Sequence, residues 1–144
     1  MLEHKVIALN EENIIALENL RFKVYNYKNT DINPTETYFY REMLGNRILP
    51  FGVYENNKLI AGCYVSNSYK TLFIEHLFVL KEYQNSENHI GTNLLKYVLD
   101  NKEICENFFK MKFEFSYLDN RCSKSFCEAL GYKENRNDMM SRSI

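Results

Sequence analysis

TLFIEHLFVL at 71–80, KEYQNSENH at 81–89 and IGTNLLKYVLDN at 90–101 follow one another without a break, and their reading decides the fold. The first run is apolar and aromatic, as a half-buried strand is. The second is polar, as a loop is. The third places Ile90, Leu94, Leu95, Val98 and Leu99 on one face of a helix. A helix that opens where a strand ends leaves its first backbone N–H groups unpaired and aimed at one point. Such a point is a ready site for an anion, phosphate above all.

Working outward from that junction, residues 49–54 and 58–66 read as two further strands. Glu55-Asn56-Asn57-Lys58 joins them as a tight hairpin turn, because Asn tolerates positive φ. A second turn at Asn67-Ser68 leads into the strand at 71–80, so the three strands form an antiparallel meander. Upstream, residues 6–9 form a short strand. Residues 12–26 carry Ile14, Ile15, Leu17, Leu20, Phe22 and Val24 near helical spacing. Asn29 to Pro34 breaks that helix, and Thr35 opens a shorter one that ends at Gly45-Asn46. Downstream come a strand at 112–117, a helix at 120–130 with Gly131 at its C-terminal cap, and a closing hairpin of 132–133 and 138–143. The order is β-α-α-β-β-β-α-β-α-β. It predicts an α/β (α+β) fold with a mixed, mostly antiparallel central sheet flanked by helices, in a single domain over 1–144.

Bulk composition narrows the function. A chain of 144 residues can bury a core without a disulfide or a metal. Aromatic residues make up 15% with no Trp, which suits a β-rich interior. The net charge of −1 points neither to nucleic acid nor to an anionic membrane. No signal peptide and no membrane span is expected. Cys63, Cys105, Cys122 and Cys127 show no CxxC spacing and no His at ligand spacing, so the expectation is reduced thiols in the cytoplasm and no metal.

Two segments carry a family resemblance. Leu77-Phe78-Val79, then Gln84, then Ile90-Gly91-Thr92-Asn93-Leu94-Leu95 is similar to the strand end, phosphate loop and helix start of the GNAT-type N-acyltransferases. NRCSKSFCEALGY at 120–132 resembles that family's late Asn-x-x-Ser/Ala…Glu-x-x-Gly-Phe segment, with Asn120, Ser123, Glu128, Gly131 and Tyr132 in register. The second segment is closest to the branch that acetylates ribosomal proteins and related amines. The phosphate loop departs from the pattern: it is longer, and His89 stands where the first glycine is expected. Glycine there lets the backbone approach a phosphate closely.

The resemblance implies acetyl-CoA, or another acyl-CoA, as co-substrate. Its pyrophosphate would lie on the N–H groups of Asn88, His89, Ile90, Gly91 and Thr92. Its pantetheine arm would run beside Leu77, Phe78 and Val79 as an added strand, with Gln84, Asn120 and Ser123 as further contacts. Without the second segment, Ile90-Gly91 would read as an ordinary loop-to-helix junction.

Amine acylation needs a base for the ammonium, a polariser for the thioester carbonyl and a proton for the departing thiolate. Glu75, a lone carboxylate in an apolar strand, is the candidate base; the alternatives are a solvent-facing Glu or one paired with a lysine. His76 is expected on the opposite face from Glu75. The Val79 N–H is the polariser the resemblance implies. For the thiolate, many family members place a Tyr at the position of Cys127. Cys127 and Tyr117 are therefore the candidate acids, with a packed core thiol as the alternative for Cys127. The acceptor would enter past Tyr25, Tyr27, Tyr38 and Tyr40, where Glu36 and Glu42 also lie.

The expected function is thus acetyl transfer from acetyl-CoA to a primary amine, on a small molecule or on a protein or peptide, in a ternary complex. The alternative is a catalytically silent acyl-CoA-binding sensor or interaction domain of the same fold. A monomer and a homodimer both fit.

Overall fold

A computed structural model describes residues 1–25, 32–84, 87–118, 124–134 and 140–144. Among these residues seven strands form one sheet: β1 (Leu2–Val6), β2 (Leu49–Glu55), β3 (Lys58–Ser68), β4 (Thr71–Val79), β5 (Phe115–Leu118), β6 (Lys133–Glu134) and β7 (Met140–Ser143). Their order across the sheet is β1-β2-β3-β4-β5-β7-β6. Every pairing is antiparallel except β4 with β5. The helices are α1 (Glu11–Val24), α2 (Tyr38–Leu44), α3 (Ile90–Asp100), α4 (Lys102–Phe109) and α5 (Lys124–Ala129). The mixed sheet flanked by helices is the architecture the sequence predicts.

Local signals explain most boundaries. Asn10 caps α1 by accepting from the Asn13 N–H at 2.9 Å, and Thr37 caps α2 by accepting from the Tyr40 N–H at 3.0 Å. Asn56 and Asn57 both take positive φ in the β2–β3 hairpin, as predicted. Gly131 follows α5 at φ 86, where the Gly131 N–H donates to Glu128 O and the Tyr132 N–H to Cys127 O. Gly62 is needed for a different reason. A Cβ there would stand 2.8 Å from the Phe78 ring and 3.1 Å from Leu17, so its absence lets α1 seat on β3.

Several boundaries differ from the sequence reading. The first strand is Leu2–Val6 rather than 6–9, because it pairs along β2 from Phe51 to Glu55 and leaves Ile7 to begin the crossing to α1. The second hairpin turns at Tyr69 (φ 51), not at Asn67-Ser68, since both of those residues still pair with β4. Helix α4 was not expected. Asn101 breaks the run, its N–H reaching Tyr97 O and Val98 O, and the chain re-enters helix with Cys105 buried. β5 begins at Phe115, because the Glu114 and Phe115 N–H groups both go to Lys70 O. The predicted helix start at 120–123 and hairpin start at 138–139 lie outside the described residues.

The core fills both sides of the sheet. Leu17, Tyr64 and Phe78 are among the fully buried residues on the side of α1, and Leu94, Leu95 and Val98 among those α3 contributes. Among the described residues no helix is long and apolar enough to cross a membrane.

Candidate active site

The site begins with an interruption in β4. Ile74 pairs with Val65, Glu75 with Tyr64, and then Leu77 with Cys63, so His76 is one residue too many. It is a bulge, with His76 at φ 50. Among the described residues the parallel ladder with β5 covers Thr71–Ile74, which brings it to the residue before the bulged pair. Beyond it, the edge of β4 that faces away from β3 is set by ladder parity. Leu80 donates its N–H to Ile60 O at 3.0 Å, which makes Phe78–Gly62 a bonded pair and Leu77–Cys63 and Val79–Ala61 unbonded ones. The N–H and C=O of both Leu77 and Val79 therefore point away from β3. The two carbonyls take donors from side chains: Tyr25 Oη reaches Leu77 O at 3.3 Å, and Gln84 Nε2 reaches Val79 O at 2.7 Å.

The bulge also decides where Glu75 and His76 look. Residues paired across a ladder share a face. Tyr64 lies on the α1 face, bonded to Glu18, so its partner Glu75 does too. His76 is buried on that same face, with its ring 4.6 Å from Phe39, 5.7 Å from Tyr25 and 6.4 Å from Tyr64. The expectation that the two residues oppose each other is corrected here, because the extra residue cancels the alternation. Glu75 is half-buried and lines an open hollow of about 440 Å³ together with Tyr38, Glu42, Arg47, Phe108 and Phe109. Burial, then the carboxylates of Glu42 and Glu75, hold the Tyr38 phenol above its ordinary pKa. The Arg47 guanidinium bonded to Glu42 holds that carboxyl below its own.

Behind the hollow sits a polar cluster that the sequence reading missed. Glu18, fully buried, takes two bonds from the Arg21 guanidinium at 2.7 and 2.8 Å. It also accepts from Thr37 Oγ1 and Tyr64 Oη at 2.5 Å each. Burial pushes the Glu18 carboxyl up, but the bonds from Arg21, Thr37 and Tyr64 and the Arg21 charge outweigh it, and the net direction is down. Burial and then the Glu18 charge push the Tyr64 phenol well above its usual value. The cluster ties α1, the start of α2 and β3 together. Its only trace in the sequence is a Glu-x-x-Arg pair on the face that carries Leu17 and Leu20.

The anion site forms at the start of α3. The first helical bond runs from the Asn93 N–H to His89 O at 2.9 Å, so the N–H groups of Ile90, Gly91 and Thr92 lie ahead of it. His89 takes the left-handed conformation, φ 47 and ψ 50, that a glycine would occupy without strain. Asn93 Nδ2 bonds Asn88 O at 2.9 Å and steadies the turn. A Cβ built on Gly91 would stand 3.4 Å from Leu77 and 3.8 Å from Val79, so the helix start lies directly against the end of β4. Strand edge and helix N-terminus thus form one continuous line of donors, fit for an amide chain that ends in a diphosphate.

The remaining candidates are dispersed. Cys127 is fully buried, and Tyr117 stacks edge-on to Phe73, its ladder partner, at 5.1 Å. Phe78 faces α1 rather than the open edge. Asn120, Ser123 and Tyr27 lie outside the described residues. No group of three or more His, Cys, Asp or Glu residues that could hold a metal occurs among the described residues.

A model of the acetyltransferase (GNAT) family matches residues 14–132. No curated protein matches the sequence. Solved structures share the fold. The ribosomal-protein-S18-alanine N-acetyltransferase of Escherichia coli has a TM-score of 0.71 at 16% identity, covering 100% of this chain and 94% of its own. An aminoglycoside 6'-acetyltransferase type Ii has 0.71 at 18%, with coverage of 98% and 96%. The PaiA N-acetyltransferase of Thermoplasma acidophilum, solved with coenzyme A, has 0.69 at 17%, with coverage of 100% and 99%.

Proposed function

This chain belongs to the acetyltransferase (GNAT) family, and on that footing we propose that it moves an acetyl group from acetyl-CoA to a primary amine by direct transfer in a ternary complex. One observation carries the reading. Among the described residues the β4–β5 ladder ends at Ile74, just before the His76 bulge, and no strand pairs with the edge of Leu77 and Val79 in line with the start of α3. An amide-bearing chain can pair along that edge as a strand would, with its diphosphate on the N–H groups of Ile90, Gly91 and Thr92. The acetyl-CoA thioester then falls near the bulge.

In this reading Glu75 takes a proton from the acceptor ammonium. The thioester oxygen must be polarised beside that base. Leu77 is two residues from Glu75 and Val79 is four, roughly 7 Å and roughly 13 Å along a strand. The Leu77 N–H is therefore assigned to the thioester oxygen and the Val79 N–H to the arm behind it. The hollow holds two carboxylates, Glu42 and Glu75, beside Tyr38, Phe108 and Phe109, a setting for a cationic acceptor. The S18 alanine and aminoglycoside enzymes share this fold and differ in acceptor, so a small-molecule amine and a protein or peptide amine both suit it. Cys105 is a reduced thiol buried in the core, which supports the cytoplasm as the compartment.

A second reading, an acyl-CoA sensor without turnover, is favoured by one observation: the thiol at the family's acid position is sealed in the core. Two measurements separate them. Saturating acetyl-CoA raises the melting temperature in either case, since a ligand bound only by the native state stabilises it; no rise rejects both. Thiol release with a panel of amines then identifies the enzyme, and its absence leaves the sensor.

A further inference from the structure

We propose that Tyr25 delivers the proton to the departing thiolate. This role rests on the acetyl-transfer reading above. Tyr25 caps the C-terminus of α1, its N–H bonded to Arg21 O at 3.0 Å, and its ring packs edge-to-face with that of His76 at 5.7 Å. From there the hydroxyl reaches the outward carbonyl of Leu77 at 3.3 Å, long for an O–H donor and so easily exchanged. That carbonyl is the acceptor an incoming amide chain would take when it adds to the edge of β4. The arm's N–H then replaces the Tyr25 hydroxyl, which stays within a hydrogen-bond length of the strand edge. The sulfur of the thioester held on the Leu77 N–H lies at the same place.

The two acids the sequence suggests are worse placed. Cys127 is buried without exposure, and Tyr117 pairs with Phe73, four residues before Leu77, or roughly 13 Å along the strand.

The step balances. Glu75 removes one proton from the ammonium and passes it to solvent. The amine nitrogen attacks the carbonyl carbon, the C–S bond breaks, and its electron pair stays on sulfur. Tyr25 gives its hydroxyl proton to sulfur, forming the thiol, and the second proton lost by the nitrogen restores the phenol.

The test compares two acyl donors. For Tyr25→Phe, thiol release from acetyl-CoA should fall about 10²-fold, the usual worth of a positioned acid. The acetyl-CoA-induced rise in melting temperature should be unchanged. With the selenoester analogue of acetyl-CoA, whose selenolate leaves without a proton, the loss should largely vanish. Equal losses with both donors, or no loss with either, overturn the role. Replacing Tyr25 by 3-fluorotyrosine keeps the hydroxyl and the fold; it should move the alkaline limb of kcat to lower pH, and an unmoved limb overturns the role as well. No thiol release by the unaltered chain with any amine is a separate result, which overturns acetyl transfer itself.

Discussion

Glu18 and Arg21, one turn apart on α1, form a doubly bonded ion pair inside the core. Removing either partner leaves the other charge buried and uncompensated. Glu18→Ala should destabilise the protein by about 3–5 kcal/mol, because Arg21, Thr37 and Tyr64 all lose their shared acceptor. Denaturant unfolding of Glu18→Ala, Arg21→Met and the double variant checks this. The double variant should cost less than the sum of the two, and strict additivity would show that the pair is not coupled.

Acid should unfold the protein in two stages. His4, stacked on Tyr97 between β1 and α3, is held below its ordinary value of 6.5 by burial, and Glu18 is held below 4.5. For both groups the folded pKa is depressed. Each contribution is therefore complete above the unfolded value and is lost as pH falls through the folded one. Stability should begin to fall below about pH 6.5 with His4 and again below about pH 4.5 with Glu18. Melting temperatures from pH 7 to pH 3 test the order. His4→Gln should flatten the first stage only, and an unchanged first stage would acquit His4.

His89→Gly should strengthen CoA binding with little change in stability. The left-handed backbone of His89 costs about 1 kcal/mol. Glycine relieves that cost but loosens the unfolded chain by about 0.4–1 kcal/mol. The net stability change should therefore be small, while the phosphate loop opens to closer approach. Isothermal titration with CoA measures it. A weaker affinity in the glycine variant would show that the imidazole itself holds the phosphate.

Glu75→Gln should lower turnover by about 10²-fold while leaving the acetyl-CoA-induced rise in melting temperature intact. Parallel loss of both would make Glu75 a structural residue of the bulge.

Much of this was legible in the sequence, for a physical reason: short-range chemistry leaves short-range marks. The Asn56-Asn57 hairpin, the Gly131 cap and the strand–loop–helix run at 71–101 are each fixed by their own residues. The bulge left no such mark. His76 is not a glycine, and burial alternates along β4 from Thr71 to Val79 without a fault. That alternation persists because both faces of the sheet are covered, so a change of face shows no change of polarity. Glu18–Arg21 and Tyr25–Leu77 were hidden for another reason. One reads as a surface pair until Thr37 and Tyr64 close over it, and the other joins residues 52 positions apart. Helix α4 was lost to its charged lead-in at 102–103.

The bulge at His76 sets the phase of β4. Before it, Ile74 lies on the side of α3; after it, that side belongs to Leu77 and Val79, while Phe78 joins α1. The two halves of β4 are thus written out of step, with His76 as the spacer between them. Losing that single codon would leave both halves facing as they do now, because Leu77 would follow Glu75 directly and still oppose Cys63. Leu77 would stay on the side of α3 and Phe78 on the side of α1, while the ladder would run unbroken and lose the kink that opens the cleft. Substitutions at this position change a side chain. A deletion there would erase the site.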